Sequence, residues 1–179
     1  SDTLWGHNSD TEVAWLDALV LPGSTNTGYY FNPANPLTGQ NKVRLFTAEA
    51  PRTTAHFIAL ATGKKKWRDP RDGKMKSTPL YDGLLFHRVI PGFMVQTGDP
   101  KGDGSGDIGY TIADEISPKL RFDRPGLLGM AGFGPDTVGS QFFITLSPNP
   151  DLNGRHSLFG EVVEGLSVVK RLSAVPRDL

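Results

Sequence analysis

The stretch Phe86-His87-Arg88-Val89-Ile90-Pro91-Gly92-Phe93-Met94-Val95-Gln96 sets an arginine, a phenylalanine, a methionine and a glutamine on two short β-type runs joined by a Pro-Gly turn. From the residues alone this describes an arginine whose stem lies over core aromatics while its head stays in water. The other chemistry-bearing candidates fail on spacing or context. Gly104-Ser105-Gly106-Asp107-Ile108-Gly109 matches a dinucleotide glycine pattern. It is followed by β-type Tyr110-Thr111-Ile112, where a helix N-terminus would have to meet the pyrophosphate. Asp103, Ser105, Asp107 and Asp114 approximate calcium-loop spacing, but Ile108 stands where the sharp turn needs glycine, so the segment reads as a plain surface loop. His7, His56, His87 and His156 show no metal-ligand spacing. Ser140, between Gly139 and Gln141, lacks the glycines of a nucleophile elbow. The chain has no cysteine, which removes disulfides, thiolate catalysis and thiolate metal sites together. No cofactor and no metal is expected.

Three ordered blocks make the first segment specific. Residues 86–96 resemble the first signature of the cyclophilins, a family of peptidyl-prolyl cis/trans isomerases. Met130-Ala131 followed by Gly139-Ser140-Gln141-Phe142-Phe143-Ile144 is similar to the second signature, and Leu152-Asn153-Gly154-Arg155-His156-Ser157-Leu158-Phe159-Gly160 to the third. The resemblance covers residues 42–175 and leaves 1–41 as an atypical N-terminal segment of a single domain, 1–179. Tyr81-Asp82-Gly83 and Trp67-Arg68-Asp69-Pro70 look most like bacterial members.

This resemblance implies a mainly β fold, a closed antiparallel eight-stranded barrel capped by two α-helices. It assigns catalysis to Arg88, Phe93 and Gln96. The proline pocket falls on Phe93, Met94, Phe143, Leu152 and His156, and Gln141 joins Gln96 beside the arginine. Ala131 and Gly132 fall on the edge that pairs with substrate backbone, and Phe133 lies at the secondary pocket. The implied partners are proline-containing peptides and unfolded or folding proteins, met by a monomer. The competing reading is a proline-peptide binding module or scaffold that keeps the cleft without useful turnover.

The implied chemistry suits these residue types. Rotation about X–Pro is slow, with a barrier of roughly 20 kcal/mol, because the nitrogen is conjugated with its carbonyl. In the twisted transition state the proline nitrogen becomes an acceptor, so a fixed guanidinium stabilises that state more than the planar one. Moving the event from tens of seconds to milliseconds requires about 5.5 kcal/mol. One charge-assisted hydrogen bond (~1.5–3 kcal/mol), desolvation and clamping of the ring are of that order.

The sequence departs from the family in places. The second block usually reads Met-Ala-Asn-Ala-Gly, and here it is Met130-Ala131-Gly132-Phe133-Gly134. The tryptophan that many members use to bind cyclosporin falls on Asp151, so cyclosporin binding is expected to be weak at most. Members usually run past the second helix into a closing strand, whereas this sequence ends at Leu179. Residues 13–21 are therefore expected to supply an edge strand, although their periodicity also fits a helix.

The elements that must position these residues are short. Twenty-one glycines and fourteen prolines (Gly 21, Pro 14) suit strands joined by turns. Strands are expected at 84–90, 93–96, 110–112, 127–130, 141–146 and 157–163, with 42–46 and 29–31 as an opening hairpin. Helices are expected over 48–62, with Pro51 in the first turn and Gly63 as the stop, and over 165–174. A length of 179 residues suits one domain. Lys+Arg and Asp+Glu are 19 each, giving no overall electrostatic reason to expect nucleic acid or an anionic membrane surface. Residues 64–76, with seven basic and two acidic side chains, read as a solvated loop rather than a nucleic-acid patch. No apolar run reaches a membrane span. The sequence begins at Ser1, consistent with a removed leader, which leaves the compartment (cytoplasmic or exported) unassigned.

Overall fold

Successive side chains of a strand point to opposite faces of its sheet, and in this protein both faces are apolar. Phe142 and Ile144 join one buried cluster with Val43, Leu45, Val95, Leu128, Met130 and Phe159. Phe143, between them in sequence, joins a second cluster with Met94, Phe122, Leu127 and Leu158. Strands such as Phe142–Thr145 are therefore buried at every position and read as continuous apolar runs, which is what burial on both faces demands.

The structure, a computed structural model, describes residues 5–7, 13–17 and 40–174. In chain order the elements are β1 (Trp5–His7), β2 (Val13–Asp17), β3 (Gln40–Leu45), α1 (Pro51–Ala61), β4 (Trp67–Arg68), β5 (Met75–Lys76), β6 (Arg88–Ile90), β7 (Met94–Thr97), β8 (Leu127–Met130), β9 (Phe142–Thr145), β10 (Leu158–Glu164) and α2 (Leu166–Ser173). A 3₁₀ turn, Pro150–Leu152, precedes β10. The main sheet runs β1-β2-β3-β10-β8-β9-β7-β6 with antiparallel neighbours, and β4–β5 is a separate hairpin. The fold is mainly β with two helices, as expected.

α1 starts at Pro51, three residues later than the expected 48, with that proline in its first turn. Its free N–H groups are met from far along the chain: Glu115 accepts from Thr53 N at 2.7 Å and from Arg52 N and Nε at 3.3 and 3.2 Å. A carboxylate there also suits the positive end of the helix dipole. Phe57, Leu60 and Ala61 enter the first cluster, and α2 adds Val168, Val169 and Leu172.

Several expectations are revised. The strand at 110–112 is reduced to a single bridge, Ile112 to Val138. The strand at 84–90 shortens to Arg88–Ile90, and Leu85 O is met by the Thr97 hydroxyl at 2.8 Å. Residues 64–76 are not a solvated loop throughout, since they contain the β4–β5 hairpin with Trp67 and Asp69 buried. Arg71 grips Asp69 with two donors at 2.8 and 2.6 Å and Lys76 adds an ion pair at 3.3 Å. The bond from Arg71 holds the Asp69 carboxyl well below its usual range. Of residues 13–21, Val13–Asp17 form a strand that pairs with β3 from Val13 against Arg44 to Asp17 against Gln40. β1 then covers the other edge of β2. Residues 18–21 lie outside the described residues, as do 29–31. Both edges of β3 are taken, by β2 and β10.

Candidate functional site

Strand register lines up the central side chains. Arg88 on β6 stands opposite Gln96 on β7, Gln96 opposite Phe143 on β9, Phe143 opposite Gly129 on β8, and Gly129 opposite Leu158 on β10. Residues directly opposite share a face, so the polar pair Arg88–Gln96 and the ring of Phe143 lie along one row. Gly129 is needed in that row. A Cβ on it would run into the Phe143 ring and come within 2.8 Å of Phe122 Cζ.

Above this row lies a groove of about 900 Å³. All of the expected site residues line it: Arg88, Phe93, Met94, Gln96, Ala131, Gly132, Phe133, Gln141, Phe143, Leu152 and His156. Its apolar part is continuous with the second cluster, since Met94 and Phe143 belong to that cluster and Phe93, Ala131 and Leu152 pack against it. Phe143 is stacked on Phe122 at 5.7 Å between centroids and meets His156 edge-on at 5.4 Å. His156 Nδ1 lies 3.0 Å from Met130 O. A carbonyl only accepts, so that nitrogen carries the proton and the ring plane is fixed.

The guanidinium is held by a chain of amides. Arg88 Nη1 donates to Gln96 Oε1 at 3.3 Å, Gln96 Nε2 to Gln141 Oε1 at 2.9 Å, and Gln141 Nε2 to Gly104 O at 2.9 Å. Among the described residues no carboxylate pairs with Arg88, which is exposed on β6 and lines the groove. Gln141 is itself buried and its backbone is fixed by its neighbours. Ser140 Oγ donates to Gly98 O at 2.6 Å and Ser140 O accepts from Tyr81 Oη at 3.0 Å. Gly98, at φ +92°, leaves no room for a Cβ against Ser140.

The loop of residues 103–111, read from sequence as plain surface, is a wall of the groove. The group that shapes it, Asp99, carries no local sequence signal. Asp99 Oδ2 accepts backbone N–H groups from Asp103, Gly104 and Gly106 at 3.2, 2.7 and 3.2 Å, and Oδ1 accepts from Lys101 at 2.8 Å. The glycine-rich segment thus cradles the protein's own carboxylate, as such nests of N–H groups do for phosphates. Asp103 is bonded to Ser105 and Lys101, and Asp107 to Arg68. Among the described residues no group of three or more His, Asp or Glu could hold a metal ion.

His87 is a second groove residue that no local sequence pattern marks. It lines the groove and is buried, and neither ring nitrogen has a hydrogen-bond partner among the described residues. Burial pushes its pKa below the ordinary 6.5, opposed by the charge of Asp99. Phe133 lines the groove but stands at its rim with 76 % of its surface exposed, so it leaves the space beside it open. Asp151 is exposed in the 3₁₀ turn next to Leu152 and does not line the groove.

An antiparallel sheet buried on both faces, with an aromatic-floored groove and an anchored guanidinium at its edge, defines the class of protein. Residues 34–179 match the family described as cyclophilin type peptidyl-prolyl cis-trans isomerase/CLD. The chain is 49% identical over 142 residues to peptidyl-prolyl cis-trans isomerase B of Streptomyces anulatus, covering 78% of this chain and 81% of that protein. It is 50% identical over 142 residues to peptidyl-prolyl cis-trans isomerase A of Mycobacterium tuberculosis, covering 78% of each. A Cryptosporidium parvum cyclophilin type isomerase, crystallised in the presence of the dipeptide Ala-Pro, matches with a TM-score of 0.65 at 38% identity, covering 78% of this chain and 82% of that one. The chain belongs to the cyclophilin-type peptidyl-prolyl cis-trans isomerase family.

Proposed function

We propose that this chain catalyses cis/trans rotation about X–Pro bonds in peptides and folding proteins, with Arg88 as the donor to the twisted imide nitrogen. The observation that carries this is the amide chain from Gly104 O through Gln141 and Gln96 to the Arg88 guanidinium, beside the apolar floor of Phe93, Met94 and Phe143. The ring of a proline fits an apolar pocket bounded by Phe93, Met94, Phe143, Leu152 and His156, where water is displaced from the bond. Backbone groups of Ala131 and Gly132 offer the strand-like edge along which the peptide runs. Arg88 then strengthens its bond only as the nitrogen loses conjugation, which lowers the barrier without binding the planar amide more tightly. The step forms no covalent bond and moves no proton. The crystallisation of a relative in the presence of Ala-Pro supports proline peptides as the substrate class.

The same reading takes the eight-stranded sheet as a closed barrel with α1 and α2 over its ends, and residues 1–179 as one domain. The burial of both faces of the sheet, each in its own apolar cluster, supports it. The test is direct: the isolated chain should accelerate cis-to-trans exchange of a short X–Pro peptide, read by a protease-coupled assay or by NMR exchange. A chain that binds the peptide but leaves its exchange rate unaltered would be a binding module instead.

A further inference from the structure

Residues 64–76 hold seven basic and two acidic side chains in a chain of zero net charge, so the β4–β5 region is strongly basic and the rest of the chain is acidic by the same amount. Part of this charge is neutralised at home. Asp69 is buried and takes Arg71 and Lys76, Asp72 takes Lys76 at 3.1 Å, and Arg68 takes Asp107 at 2.6 Å. Lys64, Lys66 and Lys74 are exposed and have no carboxylate partner among the described residues. The backbone that carries them is pinned: Trp67 donates Nε1–H to Thr78 O at 2.9 Å, and Lys65 N donates to Ala59 O of α1 at 3.1 Å.

The hairpin also backs one wall of the groove. Arg68 N donates to Ile108 O at 2.8 Å, the Arg68 side chain lies so close to Gly109 that a Cβ there would come within 3.1 Å of its own, and Lys65 Nζ sits over the Tyr110 ring at 4.8 Å. Asp107, Ile108 and Tyr110 all line the groove. A polypeptide advances about 3.3 Å per extended residue, so a few residues carry it from the groove over that wall to the unpaired lysines. Such a field raises the rate of encounter with oppositely charged chains. The one aromatic ring of residues 64–76, Trp67, is buried and offers no stacking face for nucleic-acid bases. We infer that the β4–β5 hairpin is a docking face for acidic residues of the polypeptide whose proline enters the groove. The inference rests on the proposed isomerase function and names a substrate class for it: prolines with Asp or Glu a few residues away.

The experiment uses the full chain and paired peptides with one proline, in which a block of Glu or of Gln is moved stepwise away from the proline on either side. In about 10 mM salt, where charges act over about 30 Å, kcat/KM for the Glu peptide should exceed that for the Gln peptide by about fivefold at one placement or more. In about 1 M salt, where the screening length is about 3 Å, the two should converge. The triple variant Lys64→Gln, Lys66→Gln, Lys74→Gln should lose the preference with its kcat/KM on the Gln peptide unchanged. The triple variant Lys64→Glu, Lys66→Glu, Lys74→Glu should reverse it. Lys119, Arg121 and Lys170 are exposed and do not line the groove, so Lys119→Gln, Arg121→Gln, Lys170→Gln removes the same charge elsewhere and should keep most of the preference. No preference in the wild type, or equal loss in the two Gln variants, overturns the inference and leaves the isomerase reading intact. Anisotropy of a labelled Glu peptide reads the face without turnover. Salt-sensitive binding that only the hairpin variants lose, in a wild type that turns over no peptide, upholds the docking face and overturns the isomerase reading. An oligothymidylate that binds more tightly than the Glu peptide and is lost in the same variants assigns the face to nucleic acid and overturns the inference.

Discussion

Gln96 stands directly across the strand pair from Arg88 and accepts its Nη1–H at 3.3 Å, while its own amide N–H is given to Gln141 at 2.9 Å. The direction of the chain matters. Because Gln141 Nε2 is committed to Gly104 O, its oxygen must face Gln96, so the Gln96 oxygen must face the guanidinium. The wall loop therefore sets the orientation of the arginine through two amides.

Breaking that chain at its buried middle should weaken catalysis without abolishing it. For Gln141→Leu we expect kcat/KM to drop roughly tenfold, about the value of one or two neutral hydrogen bonds, mostly in kcat. Steady-state kinetics with a tightly bound peptide would check it. A change confined to KM would assign Gln141 to binding alone.

Gly129→Ala should damage the groove from behind. The added Cβ meets Phe143 and Phe122, both buried, so the Phe143 ring must shift toward the groove. Overpacking of this kind costs about 1–3 kcal/mol. The variant should show a lower Tm together with reduced kcat/KM. Normal activity at lowered Tm would mean that the strain is relieved through Phe122 instead.

Two histidines make stability depend on pH. Burial lowers His56 and His87 below their ordinary 6.5. His56 still donates Nε2–H to Gly139 O at 2.8 Å in its neutral form. The unfolded chain takes up protons near 6.5 and the folded one only at lower pH, so stability is complete above about 6.5 and declines as pH falls below it. The carboxylates with lowered values, such as Asp69 and Glu115, lose their contribution only at more acid pH. Urea midpoints between pH 8 and 5 should fall with acidification, and a His56→Gln, His87→Gln double variant should show a flatter profile. Equal slopes for the two proteins would remove the histidines from the account.

Removing residues 1–22 would strip β2 from β3 and expose the row of backbone groups from Gln40 to Arg44, an edge prone to self-association. The shortened protein should have a lower Tm and a tendency to aggregate. Its soluble monomer should keep isomerase activity, since the expected site residues that line the groove all fall between Arg88 and His156. An unchanged Tm in a monomeric product would show that the added strands contribute no stability.

The parts of the site that could be read from sequence are those whose signal is local. Arg88, Phe93, Met94 and Gln96 sit on one hairpin, and Phe142-Phe143 show by their adjacency that both faces of a strand are apolar. Pro51 and Gly63 likewise mark both ends of α1. What escaped depends on contacts between distant segments. The glycines of residues 104–109 looked like a ligand loop or a surface loop because the anion they enclose, Asp99, belongs to the preceding turn. The Glu115 cap on α1 joins segments with no shared pattern. Phe133 lines the groove as expected, but its exposure depends on the turn held by Thr137, which the sequence does not show.

The central claim is that one guanidinium, held in place and unpaired with any carboxylate among the described residues, acts mainly in the transition state. Replacing Arg88 by Ala and measuring kcat/KM on an X–Pro peptide tests it most directly, with Tm as the control for folding. The account predicts a loss of at least about 10²-fold, or ~3 kcal/mol of transition-state stabilisation, with Tm little altered because Arg88 is exposed on β6. Near wild-type kcat/KM in a folded Arg88→Ala protein would contradict it.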